Sequence, residues 1–464
     1  MTMPMKALGD LWRLAGGAPK ALAQVQLTGA DPQLPSSFKV GTAAQVSIAA
    51  AGLAAVELWR QRSGELQTVS VDMRHAAIEF RSERYLRIIG EEPARVWDEL
   101  AGVYNAAGGR YVRLHTNFPR HRQAVLDVLK CGPSREAVQA ALLGWDAEAF
   151  EAAAYAAGGV VAVMRSPKEW AAHAQGRALA TLPTLKITRI GDAAPRPLPA
   201  GDRPLSGVRV LDLSRVIAGP VAGRTLAAHG GDVMLIAGPQ LPSIPWLVID
   251  TGRGKRSAYV DLATSAGRER LQDLLKDADI FSQGYRPQSI AKLGFSPEDA
   301  ARIRPGIVYV SLSAYGAAGP WANRRGFDSL VQTATGFNHM EAEAAGSLPA
   351  PKELPAQALD HASGYLMAFG AMMAKTRQAR EGGSWHVQVS LAQTGRWIAG
   401  LGRLDDGFAA PDPTLAEVGD LLDECASGFG QLRAVRHAAV LSATPAQWDR
   451  PAVPLGTNEA TWVS

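Results

Sequence analysis

The stretch that decides the fold runs from residue 357 to 397 and opens Gln-Ala-Leu-Asp-His-Ala-Ser-Gly-Tyr (357–365). The apolar run that follows predicts a helix that is apolar on nearly every face, and such helices are normally buried. The pair Gly382-Gly383 ends this helix. The alternating residues 385–391 then predict a strand. A buried helix followed directly by a strand indicates an α/β fold.

Asp360 is the single carboxylate at the start of that helix. Aspartate often caps a helix, because its oxygen accepts a free backbone N–H of the first turn. A carboxylate at the point where a buried helix opens to a cleft is also well placed for chemistry. The residues alone leave both roles open, a structural cap and a reactive group.

A second stretch repeats the pattern 318 positions earlier, with a predicted helix over 43–59 and an alternating strand over 66–73. Thr42 stands at the position that corresponds to Asp360. A threonine hydroxyl without an activating base is a much weaker nucleophile than a carboxylate. We therefore expect the first copy to be structural. The matched pairs are Gly52 with Gly370, Arg62 with Arg380, Gly64 with Gly382, Val69 with Val387, and Val71 with Val389.

Predicted strands and helices alternate over residues 205–400, which is typical of a parallel sheet with helices on its faces. We predict an α/β fold with a parallel, Rossmann-like sheet domain and a smaller α/β domain. The predicted organisation is an N-terminal segment with the degenerate helix–strand copy (1–84), the smaller α/β domain (85–196), the sheet domain with the Asp360 segment (197–410) and a C-terminal return segment (411–464).

The composition is that of an ordinary soluble globular protein, with 47% hydrophobic and 20% charged residues. The net charge of +4 comes without a long Lys/Arg block, which suits an anionic small molecule at least as well as nucleic acid. Two cysteines are too few for a disulfide framework and fit a reducing, cytoplasmic location. No signal peptide or run of about 18 apolar residues is apparent. We expect neither nucleic acid nor a membrane as partner.

The stretch around Asp360 resembles the nucleophile segment of the class III (family III) CoA-transferases. It shares with them Asp followed four residues later by Gly, a helix of small residues, an Arg…Gly-Gly turn and Val-x-Val-Ser-Leu. A block that resembles the family's smaller domain comes first in this chain, so the resemblance implies a rearranged or duplicated order. Further stretches that resemble the family are 205–213, 218–220, 254–257, 279–287 and 313–316.

The resemblance implies an enzyme that moves CoA from an acyl-CoA donor to a carboxylic acid acceptor. Asp360 would attack the donor thioester and then carry CoA as an aspartyl-CoA thioester. CoA and acyl-CoA would be substrates, with no permanently bound cofactor and no metal. The expected partners are acyl-CoA and a small carboxylic acid. The oligomeric state is left open, with a homodimer as one alternative.

The resemblance also implies where CoA binds. The residues that match Val216, Ile217 and Ala218 line the CoA site in the family, and Tyr285 and Arg286 match a turn that touches CoA. In open α/β sheets ligands bind beyond the carboxyl ends of the strands, and helix N-termini favour anions.

Two further cations, Lys255 and Arg256, stand beside a glycine and suit phosphate groups, although a solvated loop explains them equally well. In the family this strand usually ends in an acidic residue followed by an Arg or Pro segment that holds the adenosine part, whereas here it ends Leu-Ile-Ala-Gly-Pro (235–239), with neither charge. The sequence therefore leaves the adenosine contacts undefined.

Phe327 bears on which reaction is catalysed. In the racemase branch of the family a histidine occupies this place and acts with the catalytic Asp, and phenylalanine cannot move a proton. His361 is adjacent to Asp360, but neighbouring residues on a helix point apart. The alternatives are an acyl-CoA racemase or isomerase, which Phe327 disfavours, and a non-catalytic CoA-binding protein, which the missing adenosine-site charges suggest.

Overall fold

The N-terminal part of the chain forms a helical layer with a short sheet. The computed structural model describes residues 2–462, apart from the side chain of Pro287. Helix α2 is buried along almost its whole length, because small residues let neighbouring helices approach it closely. The elements are α1 (Met3–Leu14), β1 (Val25–Thr28), α2 (Val40–Ser63), β2 (Val69–Asp72), α3 (Met73–Glu79), α4 (Ser82–Tyr85) and β3 (Arg87–Ile88), with a 3-10 helix at Pro19–Gln24.

A small domain follows, with a three-stranded antiparallel sheet in the order β4-β5-β6 and its own hydrophobic core. Leu114 and Phe150 are fully or almost fully buried in that core. The elements are β4 (Gly102–Asn105), β5 (Tyr111–Leu114), α5 (Pro119–Leu129), α6 (Arg135–Leu142), α7 (Ala147–Ala156), β6 (Val161–Val163), α8 (Pro167–Ala172) and α9 (Ala174–Leu179), with a 3-10 helix at Ala107–Gly109.

A seven-stranded sheet in the order β10-β9-β8-β11-β12-β13-β7 forms the large domain. Six strands are parallel, and β7 pairs antiparallel with β13 at one edge. The predicted α/β class is confirmed. The elements are β7 (Leu185–Gly191), β8 (Arg209–Leu213), α10 (Ala218–Ala228), β9 (Asp232–Ala237), α11 (Pro245–Thr251), β10 (Lys255–Tyr259), α12 (Ser265–Lys276), β11 (Ile280–Gln283), α13 (Pro287–Ala291), α14 (Pro297–Ile303) and β12 (Val308–Ser313).

The remaining elements tie the C-terminal part back to the rest of the chain. Strand β16 pairs with β2, and β15 pairs with β3. The elements are α15 (Asp328–Thr335), α16 (Phe337–Ala344), α17 (Ala358–Glu381), β13 (Ser384–Ser390), α18 (Leu391–Gly400), β14 (Leu422–Ser427), β15 (Gly430–Val435) and β16 (Ala439–Leu441), with 3-10 helices at Gly407–Ala409 and Gly419–Leu421.

These pairings move the predicted domain boundaries. Residues 185–191, assigned from sequence to the smaller domain, form an edge strand of the large sheet instead. Within residues 411–464, β15 and β16 pair with β3 and β2 of the N-terminal part, so the return segment packs against the start of the chain. Strand pairing between distant segments determines these boundaries, and local composition does not reveal it.

The internal repeat is present in three dimensions. Helices α2 and α17 both have 24 residues, begin 318 positions apart and pack against each other. A Cβ on Gly52 would meet Val69 at 2.7 Å, and one on Gly370 would meet Val387 at 2.5 Å, so both copies bring a helix equally close to its own strand. Each of these strands, β2 and β13, lies between a parallel and an antiparallel neighbour.

Helix α2 is long and apolar enough to cross a membrane by length and composition, which differs from the sequence-based expectation. However, 94% of its apolar window is buried inside the fold. Because α2 packs along α17, its apolar surface is covered by protein. This burial is what a core helix requires.

Candidate active site

A large cleft opens at the carboxyl ends of β8, β11 and β12, with a volume of about 1100 Å³. We call it the large cleft. Its lining includes the turn 216–218, the turn 284–286 and Asp360. The small domain supplies the opposite wall through residues 118–121. The structure thus brings together Asp360 and five of the seven residues expected from sequence to bind CoA.

Asp360 is the third residue of α17 and is only 7% exposed. Within residues 2–462, no hydrogen bond to its carboxylate is found. The capping position is occupied by Gln357, and Asp360 does not cap the helix with its side chain. Its backbone N–H instead donates to Oδ2 of Asp328, at 2.8 Å. The role of structural cap therefore falls to Asp328, and the carboxylate of Asp360 is left facing the cleft.

The two carboxylates affect each other's ionisation. Burial raises the pKa of Asp328 to about 6, although hydrogen bonds from Asp360 and Gln332 oppose the rise. Burial raises the pKa of Asp360 well above its ordinary value, and the charges of Asp328 and Glu83 raise it further. The Asp360 carboxyl therefore holds its proton to higher pH than an exposed aspartate does, and it is a more basic group once ionised.

The Asp-x-x-x-Gly spacing has a direct packing reason. A Cβ on Gly364 would lie 2.5 Å from the carbonyl oxygen of Ala218 and 2.8 Å from Cβ of Val221. Only glycine lets α17 approach the start of α10 this closely. Since Gly364 is one helical turn after Asp360, this contact holds the carboxylate against the turn 216–218.

Val216 in that turn has φ +74°, in the left-handed region that favours glycine. A β-branched residue rarely adopts this conformation, and holding it there costs on the order of 1–3 kcal/mol. Val216 lines the large cleft beside Asp360. Backbone strain of this kind tends to occur at functional sites.

A second cavity of about 370 Å³ adjoins the large cleft. We call it the side pocket. Asp360, Val216, Ile217 and Phe327 line both cavities, so the carboxylate lies where they meet. The other walls of the side pocket include Arg81, Glu83, Arg84 and residues 96–97 and 353–357. Sequence reasoning missed this cavity, because its walls come from separate parts of the chain.

Comparison with known proteins identifies the family to which this chain belongs. The sequence model described as CoA-transferase family III matches residues 205–450, just over half of the chain. This chain belongs to CoA-transferase family III. The match covers the six parallel strands of the large sheet and the segment that carries Asp360, and it leaves residues 1–204, which include the edge strand β7, and residues 451–464 outside.

Individual relatives of family III match part of the chain. A probable fatty acyl-CoA transferase of Mycobacterium tuberculosis is 33% identical over 202 residues, which are 41% of this chain and 50% of that protein. A succinate–glutarate CoA-transferase of Agrobacterium fabrum is 29% identical over 212 residues, 42% of this chain and 52% of that protein. A crystal structure of a hypothetical protein from M. tuberculosis is 31% identical, with a TM-score of 0.38 over 43% of this chain and 57% of that one. The chain thus spans about half the length of these relatives.

Phe327 stacks on His115 of the small domain with ring centroids 3.7 Å apart. His115 lines the side pocket, and burial lowers its pKa to about 3, so its imidazole is neutral at physiological pH. No local sequence pattern reveals this contact, because His115 and Phe327 lie on different domains. His361 is fully buried, and its Nε2 contacts Glu83 at 3.0 Å.

Lys255 and Arg256 do not line either cavity, which corrects the expectation that they bind phosphate. Nζ of Lys255 donates to Oδ2 of Asp212 and to the carbonyl oxygen of Pro220, both at 2.8 Å. Arg256 pairs with Asp232 at 2.6 Å. They do not form a solvated loop either, since both are buried strand residues of β10. Their charges are thus paired with carboxylates inside the fold.

A different set of cations faces the large cleft. Arg120, Arg286 and Arg325 all line it, and within the described residues none of them forms an ion pair with a carboxylate. Burial lowers the pKa of Arg325, and the nearby charges of Arg286 and Arg120 lower it further. Three guanidinium groups close together without carboxylate partners form a site for an anion such as phosphate.

Proposed function

We propose that this family III protein transfers CoA from an acyl-CoA donor to a carboxylic acid acceptor, with Asp360 as the group that carries CoA. One observation above all supports this. The buried carboxylate of Asp360, which accepts no hydrogen bond from residues 2–462, lies at the junction of two cavities. The large cleft offers cations for the phosphates of CoA, and the side pocket offers room for an acyl group.

The proposed reaction has four steps, and the last two reverse the first two with the acceptor acid in place of the donor acid. The Asp360 carboxylate attacks the thioester carbonyl of the donor, which forms a mixed anhydride and releases CoA as a thiolate. The thiolate attacks the Asp360 carbonyl of that anhydride, which releases the donor acid and leaves an aspartyl-CoA thioester. The acceptor carboxylate attacks this thioester, and the same two steps run in reverse. Holding the reacting groups together contributes on the order of 7–11 kcal/mol in well-oriented intramolecular reactions.

The raised pKa of Asp360 has two consequences for these steps. The attack requires the ionised carboxylate, so the rate should rise with pH as Asp360 loses its proton. Once ionised, a more basic carboxylate is a stronger nucleophile than an exposed aspartate. Asp328 therefore tunes the nucleophile through its charge and through its hydrogen bond to the Asp360 N–H.

We infer that the CoA moiety lies across both domains. Its phosphates would contact Arg120 of the small domain together with Arg286 and Arg325 of the large domain, in place of Lys255 and Arg256. The first N–H groups of α10 lack partners within the helix and are available to the thioester end at the turn 216–218. Arg286→Gln should raise KM for acyl-CoA.

Proton exchange at the carbon next to the thioester is a second candidate function. The observation in its favour is His115, a neutral imidazole in the side pocket together with Asp360. Against it, the ring of Phe327 covers one face of that imidazole. Incubation of a 2-methylacyl-CoA in deuterated water tests it, and enzyme-dependent incorporation of deuterium that His115→Ala abolishes would favour this function over transfer.

Trapping of the carrier tests the proposed function. The protein is incubated with acyl-CoA and no acceptor, treated with hydroxylamine and digested. The peptide masses are then measured by mass spectrometry. Asp360 should appear as a hydroxamate, and Asp360→Asn should lose both the label and the transfer of CoA to free acids. Asp31→Asn is a matched control: Asp31 is also largely buried with a raised pKa, and it binds the corresponding helix start in the first copy but lines neither cavity. Label on another residue, or turnover by Asp360→Asn, would refute the mechanism.

A further inference from the structure

Glu83 is a carboxylate of the side pocket that has one oxygen without a partner. It lies in α4 and lines the same cavity as Asp360. Its Oε2 lies 3.0 Å from Nε2 of His361, the residue that follows Asp360 in α17. Within residues 2–462 its Oε1 accepts no hydrogen bond, and the side chain is 16% exposed. Glu83 is therefore held in place and still presents a free acceptor to the pocket.

Three contacts fix the position of Glu83. Nε2 of His361 donates to its carboxylate, while Nδ1 of the same ring is buried and has no partner in the described part of the chain. The ring of His361 stacks on Phe80, with centroids 5.5 Å apart. Trp246 donates its indole N–H to the backbone oxygen of Glu83, at 2.8 Å. Side chain and backbone of Glu83 are thus both oriented by neighbouring elements.

The other carboxylates of the side pocket are less suited to take up a proton. Both oxygens of Asp328 accept hydrogen bonds, one from the N–H of Asp360 and one from a side-chain amide. Glu353 forms an ion pair with Arg113, and its side chain is half exposed. Asp360 is itself the proposed nucleophile. Among the carboxylates of this cavity, Glu83 is therefore the group best placed to act as a base on a molecule beside Asp360.

We propose a further activity, hydrolysis of acyl-CoA, in which Glu83 is the general base that activates water against the aspartyl-CoA thioester on Asp360. This inference rests on the proposed function, because it consumes the intermediate of that reaction. The side pocket has a volume of about 370 Å³. A water molecule takes up about 30 Å³, so the pocket has room for water once the donor acid has left. Glu83 lies outside residues 205–450, so the part of the chain that matches family III does not supply this group.

Water supplies the atoms of the proposed step, and no other reactant is needed. Oε1 of Glu83 takes a proton from a water molecule while the oxygen of that water attacks the carbonyl carbon of the Asp360 thioester. The C–S bond breaks, CoA leaves as a thiolate, and the proton on Glu83 passes to the sulfur. Asp360 returns as a carboxyl group that holds one oxygen from water. The net reaction converts acyl-CoA and water into the free acid and CoA.

Release of CoA thiol from acyl-CoA without an acceptor measures this hydrolysis. Because the charge of Glu83 raises the pKa of Asp360, the assay is run at a pH above the acidic limb of transfer, where Asp360 is ionised in every variant. The wild type should release thiol continuously. Glu83→Gln should release it about a hundredfold more slowly, the lower end of what a positioned general base contributes.

The hydroxylamine label gives a readout that a merely structural role of Glu83 would not produce. In Glu83→Gln the labelled fraction of Asp360 should rise while hydrolysis falls, because the thioester still forms and is no longer consumed by water. Glu83→Asp keeps a carboxylate and should recover part of the hydrolysis. Glu57→Gln is the matched control: the Glu57 side chain is also 16% exposed and pairs with a cation, Arg60, but lines neither cavity.

A measurement on the wild type identifies the attacked carbon without any variant. In water labelled with the heavy oxygen isotope, under single turnover, the isotope should enter the Asp360 peptide and not the released donor acid. Later turnovers are avoided because they pass an oxygen of Asp360 to the next donor acid. Heavy oxygen in the donor acid after one turnover would mean that water attacks the donor's own carbonyl, and it would overturn the inference.

Three results with the variants would also overturn it and leave the proposed function standing. These are a wild type that labels Asp360 but releases no thiol beyond the bound intermediate, thiol release that Glu83→Gln leaves unchanged, and a Glu83→Gln variant that loses label and hydrolysis together. Absence of label on Asp360 in every protein, with no transfer to any acid, would instead refute the proposed function.

Discussion

Replacing Asp328 by asparagine should stabilise the protein at high pH and shift the activity profile to lower pH. Asp328 is fully buried, and its pKa of about 6 lies above its ordinary value of 3.8. A carboxyl whose pKa is raised by folding binds its proton more tightly in the folded state. Its contribution to stability is therefore full below about pH 4 and is lost as pH rises through about 6.

The size of the effect follows from that shift. A rise of about 2 pKa units corresponds to about 3 kcal/mol, at about 1.4 kcal/mol per unit. Asparagine cannot ionise and escapes this loss, but it keeps only one oxygen for the helix N–H groups, which costs about 1 kcal/mol at all pH values. We expect Asp328→Asn to be about 1 kcal/mol less stable than the wild type near pH 4 and about 2 kcal/mol more stable near pH 8.

Urea unfolding at a series of pH values measures this difference, and the two stability curves should cross between pH 4 and pH 8. The activity gives an independent readout. Because the charge of Asp328 raises the pKa of Asp360, the acidic limb of kcat/KM for acyl-CoA should move to lower pH in the variant. A stability difference that does not change with pH, together with an unshifted acidic limb, would refute the electrostatic coupling.

Four further outcomes are expected. Thr42→Ala should leave kcat nearly unchanged, because Thr42 lines neither cavity; a hundredfold loss in a folded variant would contradict this. Gly364→Ala should lower the free energy of unfolding by about 1–3 kcal/mol and reduce labelling of Asp360, whereas Gly346→Ala, at an open position, should not affect labelling. Arg286→Gln should raise KM for acyl-CoA without changing kcat, and the loss should shrink at high salt. No α-deuterium should enter a 2-methylacyl-CoA, as measured by mass spectrometry.

The sequence was sufficient to predict the repeat and the buried helix that begins beside Asp360. Helices α2 and α17 are apolar on all faces, and that pattern specifies burial regardless of tertiary context. The turn 216–218 was also predictable, since it follows a strand of a parallel sheet and precedes a helix. These features depend on residues close together in sequence.

The features that were missed depend on contacts between distant residues. Lys255 and Arg256 stand beside a glycine, as solvent-exposed phosphate-binding residues often do, but their carboxylate partners Asp212 and Asp232 lie 43 and 24 positions away. Asp328 directly follows Phe327 in the sequence. However, it accepts a hydrogen bond from the N–H of Asp360 in α17, which lies 32 positions away, and local sequence does not reveal that contact.

The two copies of the helix–strand unit have different consequences for the site. The first copy carries Thr42 where the second carries Asp360, and it contributes no reactive group. However, the chain that leaves the first copy forms α4, and Arg81, Glu83 and Arg84 line the side pocket with Asp360. Helix α2 packs along α17, and Glu83 of α4 contacts His361 of α17, so the first copy and α4 are both held against the second copy. The loss of the carboxylate thus leaves the first copy with a role in shaping the pocket, and substitutions in α4 should change which acid is accepted more than how fast Asp360 is labelled.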